Sequence, residues 1–140
     1  MKETKIYTIG CMDYATKEEQ TDWRNKVLDY FSDYSSINVL NPTRRPHGCG
    51  LTDKEVFNLD IKDLNESSFA IMDCRLHKNK KQFGSPAEAM YFSYVLKRPI
   101  IGWYNKEEGY AENSIFQNVL VDRFFPSLEE AMDHITAFYL

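Results

Sequence analysis

The 140-residue chain carries 17 basic and 21 acidic residues, which gives it a formal net charge of −4. This balance excludes a broadly basic surface for a nucleic-acid backbone, so we expect no nucleic-acid polymer as a partner. A hydrophobic content of 43% excludes a disordered chain, and the length fits one domain spanning residues 1–140.

The three cysteines of the chain, Cys11, Cys49 and Cys74, share no metal-ligand spacing. An odd number of scattered cysteines favours a reduced intracellular protein, and no apolar run approaches the roughly 18 residues of a membrane span. The chain also lacks a phosphate-binding loop and a dinucleotide fingerprint. We therefore expect a cytoplasmic protein with no membrane contact, no metal and no cofactor.

Apolar strand-like segments alternate along the chain with helix-periodic segments. Short connections between such segments require parallel strands joined by right-handed crossovers. The sequence therefore predicts an α/β fold of three layers, doubly wound in the flavodoxin-like or Rossmann-like manner, with a five-stranded parallel sheet. The predicted strands are 5–11, 37–40, 69–74, 99–104 and 119–121, and the predicted helices are 16–33, 52–66, 85–97 and 127–139.

Each predicted helix begins with a capping box, in which a hydroxyl residue and a glutamate three positions later bind free backbone amides. Glu88 is the glutamate of the third box, so structural capping is one interpretation of this residue. The other interpretation is chemical, because this helix follows the third strand at the sheet edge where such folds bind ligands. The four hydroxyl residues are Thr16, Thr52, Ser85 and Ser127.

Two other side chains also have a structural and a functional interpretation. Asp60 lies inside a predicted apolar stripe, where a carboxylate either turns to water or lines a cavity. The stripe consists of Val56, Phe57, Ile61 and Leu64. Tyr7 lies in the middle of the first strand, where a tyrosine either belongs to the core or offers its hydroxyl to a ligand.

The loop of residues 41–51 is longer than a connection requires, and it lies at the carboxyl end of a predicted strand. Its Arg44, Arg45 and His47 form either an anion site or a solvated basic surface. Gly10, after the first strand, would let a backbone approach a ligand closely.

Six short motifs follow one another across nearly the whole chain. They are KIYTIG at 5–10, WR at 23–24, NPTRR at 41–45, DI at 60–61, GSPAE at 84–88 and KRPII at 97–101. In order and spacing they resemble the nucleoside 2-deoxyribosyltransferase family. The resemblance implies a nucleoside or nucleotide as substrate and cleavage of its N-glycosidic bond.

The resemblance also implies roles for particular residues. Glu88 would be the nucleophile, Asp60 its orienting partner and Tyr7 a hydroxyl close to that carboxylate. Family members usually complete each site with a residue from a neighbouring subunit, which implies a homodimer or larger assembly. The residues expected to contact the substrate are Gly10, Arg44, Arg45, His47, Gln82, Gly84, Ser85 and Asn113, the last from the neighbouring subunit.

Departures from the family pattern leave several activities open. Transferases commonly carry an aspartate six residues before the nucleophile, as the acid for the leaving base, and here that residue is Gln82. Met90 and Phe92 replace small residues that usually follow the nucleophile. We expect transfer of a deoxyribosyl group to a second base through a covalent intermediate. The alternatives are hydrolysis of a nucleoside 5′-monophosphate, with a phosphate site in the 41–51 loop, and a catalytically silent nucleotide-binding module.

Overall fold

The computed structural model describes residues 3–10, 16–42, 50–75, 84–107 and 115–140. Within them no helix is long and apolar enough to cross a membrane. The elements in chain order are β1 (Thr4–Ile9), α1 (Lys17–Phe31), β2 (Ile37–Leu40), α2 (Asp53–Glu66), β3 (Phe69–Asp73), α3 (Gly84–Met90), a π-helical turn (Tyr91–Val95), β4 (Ile100–Trp103), α4 (Ile115–Leu120), β5 (Arg123–Phe125) and α5 (Leu128–Tyr139).

The strands form one parallel sheet in the order β2-β1-β3-β4-β5, so the predicted α/β fold with a five-stranded parallel sheet is confirmed. The strand order reverses between β1 and β3. Tyr7 lies at this point, paired with Leu40 of β2 on one side and with Ala70 of β3 on the other. Sheets of this kind bind ligands beyond the carboxyl ends of the strands at such a reversal.

Two apolar cores cover the two faces of the sheet. Successive residues of a strand point to opposite faces, so Ile6 enters the core beneath α1 and α5 while Tyr7 enters the core beneath α2 and α3. The stretch around the end of β1 therefore contributes to both sides of the molecule. This alternation decides which neighbours Tyr7 and Thr8 can contact.

The predicted fifth strand at 119–121 is wrong. Residues 119 and 120 end α4, and the strand is Arg123–Phe125, which pairs with residues 101–103 of β4. Leu120 and Val121 are buried because the exit of α4 packs on the core. An apolar run of three residues does not distinguish a packed helix end from a strand, and an edge strand such as β5 needs no continuous apolar run.

The capping boxes of α1 and α2 are formed as predicted, with Thr16 and Glu19 at one helix and Thr52 and Glu55 at the other. The third box is wrong. The helix α3 begins at Gly84, before Ser85, which places Glu88 at its fifth residue and beyond the first turn. The carboxylate of Glu88 is therefore not the capping group of this helix.

Arg98 fastens the end of α2 to the start of β4. Its Nη1 donates to the carbonyl oxygens of Leu64, Asn65 and Ser67 at 3.2, 2.5 and 2.7 Å. The last carbonyls of a helix have no partner within the helix, and a cation near them interacts favourably with the negative end of the helix dipole. The helix predicted at 85–97 ends earlier in the structure, since the π-helical turn that follows α3 ends at Val95 and Lys97 adopts a left-handed conformation with φ 55°.

We expect Arg98→Ala to lower the free energy of unfolding by about 1–2 kcal/mol, because hydrogen bonds from a charged group to three partly exposed backbone carbonyls are lost. Equilibrium urea unfolding measures this change. The control is Arg123→Ala on the exposed edge strand, for which a change within about 0.5 kcal/mol is expected. Equal effects of the two substitutions would contradict the fastening role of Arg98.

Candidate active site

Tyr7, Asp60 and Glu88, which lie far apart in sequence, meet on one face of the sheet. Both α2 and α3 pack on β1, so the helix that carries Asp60 and the helix that carries Glu88 meet the strand that carries Tyr7. Each of the three groups affects the electrostatic environment of another. The structure therefore brings together the three residues expected to act on substrate.

The hydroxyl of Tyr7 is fully buried. Burial raises the pKa of this hydroxyl above its usual value, and the charges of Glu88 and Asp60 raise it further. Tyr7 therefore stays protonated at any physiological pH and offers a hydrogen-bond donor. The Glu88 carboxylate is close enough to interact with this donor, although among the described residues Tyr7 Oη and Glu88 Oε2 have no hydrogen-bond partner of regular geometry.

The side chain of Glu88 is partly exposed as a whole, but its Oε2 atom is buried. Burial raises the pKa of this carboxyl to about 7; the hydrogen bond from Tyr7 lowers it, the charge of Asp60 raises it and the charge of Arg24 lowers it. Both protonation states are therefore present at neutral pH. A buried carboxyl group with such a raised pKa is typical of a nucleophile or of a proton-transferring group.

Asp60 is half-buried and lies on the inner side of α2. The apolar stripe predicted for this helix is wrong in part, since Phe57 is 54% exposed whereas Asp63 is only 6% exposed. Within α2 only Leu64 is fully buried in the apolar core, Ile61 packs partly buried against it, and Asp60 is half-buried one position earlier. A carboxylate at position 60 is consistent with this boundary.

Arg24 belongs to the same electrostatic cluster, and sequence reasoning did not identify it as a site residue. Its side chain is 1% exposed, and burial lowers the pKa of its guanidinium, while the charges of Tyr7, Asp73, Glu88 and Asp60 raise it. The available signal was its position three residues before Val27 and seven before Phe31, within the buried stripe of α1. A charged residue inside an apolar stripe of a helix is a candidate for a functional site, as Asp60 is in α2.

Gly10 lies against α1. A Cβ atom at this position would come within 2.8 Å of both Arg24 Nη2 and Trp23 Cζ2, which is too close for either atom to stay in place. The structure thus gives Gly10 a packing role in addition to the predicted contact with substrate. Among the other predicted substrate-binding residues, Gly84 and Ser85 form the first turn of α3. Those that lie outside the described residues are Arg44, Arg45, His47, Gln82 and Asn113.

A groove of about 960 Å³ lies on the opposite face of the sheet, between α1 and α5. Acidic residues of α1 line it together with Trp23, Trp103 and Arg75. Arg75 lies over the ring of Trp103 and forms a bidentate ion pair with Asp73 at 2.9 Å. None of the three clustered residues Tyr7, Asp60 and Glu88 lines this groove.

Solved structures with the same fold cover nearly the whole chain. A 2-desoxiribosyltransferase from Leishmania mexicana is 15% identical with a TM-score of 0.74, over 98% of this chain and 99% of that one. A conserved protein from Enterococcus faecalis V583 is also 15% identical, with a TM-score of 0.72 over 96% and 98% of the two chains. A CMP N-glycosidase from Clostridium botulinum is 16% identical, with a TM-score of 0.60 over 98% and 100%.

By sequence, the chain matches no protein-family model and no curated protein. At 15–16% identity the structural matches establish a shared fold. The same architecture supports unrelated chemistries, so the reaction must be argued from the clustered side chains themselves.

The raised pKa of Glu88 predicts a pH-dependent cost to folding. The unfolded carboxyl ionises near 4.5 and the folded one near 7, so the unfolded state binds fewer protons between these values and stability falls as pH rises through this window. At about 1.36 kcal/mol per pKa unit, the free energy of unfolding of the wild-type protein should fall across this window by roughly 3 kcal/mol relative to that of Glu88→Gln. Urea unfolding of both proteins at pH 4.5 to 8 measures the difference.

The control for this experiment is Glu55→Gln, which removes an exposed glutamate whose pKa the backbone of Thr52 lowers. This substitution leaves the ionisation of Glu88 in place, so the loss of stability with rising pH should persist. Parallel stability curves for wild type and Glu88→Gln between pH 5 and pH 7 would show that Glu88 has an ordinary pKa.

Proposed function

We propose that the protein cleaves the N-glycosidic bond of a deoxynucleoside or its monophosphate and transfers the deoxyribosyl group to a second nucleobase. The observation that carries the proposal is the buried carboxyl of Glu88, with a pKa of about 7, beside the Tyr7 hydroxyl and Asp60. The shared fold of a deoxyribosyltransferase and a CMP N-glycosidase supports this reaction class over others.

In the first step an ionised Glu88 oxygen attacks the anomeric carbon of the sugar. The carbon–nitrogen bond breaks through an oxocarbenium-like state, and its electron pair leaves with the base, which is released after it takes up a proton. The product is an ester between Glu88 and the sugar. In the second step a nitrogen of another base attacks the same carbon and releases its proton to solvent, and Glu88 leaves again as a carboxylate.

The two neighbours of Glu88 suit this sequence of steps. Tyr7 stays protonated, so its hydroxyl donates to the carboxylate and orients the attacking oxygen. Asp60 carries a like charge that raises the pKa of Glu88 and thus keeps the ionised oxygen nucleophilic. The same negative charge favours the positive charge that develops on the sugar in the transition state.

Hydrolysis is the second candidate function. Water would replace the second base as the attacking group, and the released sugar would carry a hydroxyl. The residue six positions before Glu88 is Gln82, whose amide hydrogen-bonds a base edge but does not donate a proton at neutral pH. This residue and the fold shared with a CMP N-glycosidase favour hydrolysis of a monophosphate.

A neighbouring copy of the chain is proposed to complete the site with Asn113. The helix that carries Glu88 continues into a surface with exposed apolar side chains, at Met90, Tyr94 and Val95, and Val119 of α4 is also exposed. Exposed apolar side chains grouped beside a site are typical of a protein interface. This surface lies next to Glu88 in the chain, so a partner seated on it would lie near the substrate.

The experiment that tests the function is chromatography of deoxynucleosides and their 5′-monophosphates after incubation with the protein, with and without a second free base. A new nucleoside formed only when the second base is present would establish transfer. Free base released without exchange would establish hydrolysis. Unchanged substrates throughout would reject both reactions and favour the silent nucleotide-binding module.

Glu88→Ala should lower the rate of product formation by at least about 10³-fold, because the covalent step loses its nucleophile. The matched control is Glu55→Ala, which removes a glutamate from the first turn of α2 where it only caps the helix. Far-ultraviolet circular dichroism verifies that both variants fold. A folded Glu88→Ala variant with wild-type turnover would remove the mechanism.

Val95→Asp should convert an active assembly into inactive monomers, because a carboxylate on the apolar surface beside α3 opposes burial against a second chain. Light scattering coupled to size-exclusion chromatography reports the mass, and the base-release assay reports activity. Phe138→Asp, at the 73% exposed position of α5, is the control and should change neither. An active wild-type monomer would exclude a contribution from a neighbouring subunit.

A further inference from the structure

We propose that Arg24 is a positioning residue of the candidate site, which fixes the end of β1 and thereby the hydroxyl of Tyr7 against Glu88. Its importance for turnover rests on the proposed function, but its effect on Glu88 does not. Arg24 lies on α1, on the face of the sheet opposite Tyr7, so it does not contact a substrate bound at Glu88 through that face. It acts on the site through β1 and through its charge.

The contacts of Arg24 converge on Thr8, the residue directly after Tyr7. Arg24 Nε donates to Thr8 Oγ1 at 3.1 Å, and Nη2 donates to the Thr8 carbonyl oxygen at 3.4 Å. Nη1 donates to the carbonyl oxygen of Gln20 at 2.7 Å, one turn earlier in α1. One guanidinium therefore holds both the side chain and the backbone of Thr8 from a fixed point on the helix.

Thr8 connects Arg24 to the neighbouring strand β2. Its hydroxyl donates to the carbonyl oxygen of Leu40 at 3.2 Å while it accepts from Arg24, so the group uses both its donor and an acceptor site. The residue is fully buried. The middle of helix α1 is thus joined to the ends of β1 and β2, one residue from Tyr7.

Space for the guanidinium depends on Gly10. Any larger residue there would place its Cβ 2.8 Å from Arg24 Nη2, so this glycine keeps the cation in place. Retaining a charge at this depth is costly compared with an apolar residue of similar volume. An apolar residue would suit the buried stripe of α1 better, and it would supply neither the hydrogen bonds to Thr8 nor a positive charge near the two carboxyl groups.

The charge of Arg24 also acts on Glu88 directly. It lowers the pKa of the Glu88 carboxyl, whereas burial and Asp60 raise it. The positioning effect has the same direction, because the hydrogen bond from a well-placed Tyr7 lowers that pKa as well. Both effects favour the ionised oxygen that attacks the sugar, and both can be measured on the resting protein.

The test is a ¹³C-NMR titration of the Glu88 carboxyl in wild type, Arg24→Met and Arg24→Lys. Arg24→Met keeps the aliphatic stem and removes the charge, so the midpoint should rise by about one pH unit. Arg24→Lys keeps the charge and should recover most of that shift. The control is Arg75→Met, which removes an arginine of the same face that is paired with Asp73, and it should leave the midpoint unchanged.

The contribution through Tyr7 is isolated by Thr8→Val, which keeps shape and all charges while it removes the acceptor for Arg24 Nε. It should raise the Glu88 midpoint in the wild-type background and have no further effect in Tyr7→Phe, because Thr8 acts through the tyrosine hydroxyl. This pair also keeps the proposal testable if Arg24→Met fails to fold. Equal shifts in both backgrounds would overturn the positioning role.

Activity separates this proposal from the proposed function. In an active enzyme the acid limb of the kcat/KM profile should move to higher pH in Arg24→Met by the same amount as the NMR midpoint. If no substrate is turned over but the midpoint moves, Arg24 positions the site and the proposed reaction is wrong. If Glu88→Ala abolishes turnover while Arg24→Met and Thr8→Val keep the wild-type midpoint, the reaction stands and the role of Arg24 is rejected.

Discussion

Burial of the Glu88 carboxyl group is the constraint on which the candidate site depends. An ionised carboxylate loses hydration when it is buried, and its neighbours decide how much of that cost remains. Tyr7 and Arg24 favour the ionised form, whereas burial and Asp60 oppose it. The pKa of about 7 is the balance of these effects, and it keeps the nucleophilic and the protonated forms both accessible at neutral pH.

The alternation of side chains along β1 connects this balance to the rest of the fold. Tyr7 points to the face that holds Glu88, and Thr8 points to the face that holds Arg24. The strand lies where the order of the sheet reverses, so both residues are close to the edge that binds ligands in folds of this kind. Packing beneath α1 is therefore connected through β1 to the candidate site on the other face.

The shared fold and the clustered residues contribute different parts of the functional proposal. The scaffold is common to proteins with different activities, a deoxyribosyltransferase and a CMP N-glycosidase among them. Which reaction occurs depends on what protonates the leaving base and on what attacks the sugar afterwards. In the proposed reaction, Gln82 would change the first of these conditions, whereas Glu88, Tyr7 and Asp60 are the residues proposed for the covalent step.

Local patterns and short motifs were sufficient to predict the alternation of strands and helices and the caps of α1 and α2. They were also sufficient to identify Glu88 and Asp60 as candidates. The sequence did not determine that residues 119–121 end a helix, since a short apolar run is buried equally well in either structure. It did not place Phe57 in solvent or Arg24 beneath the site. Those outcomes depend on how each helix is rotated against the sheet, and this rotation is set by packing between elements that are distant in sequence. The cost of burying a charge likewise depends on the groups that surround it, and these groups come together only in the tertiary structure.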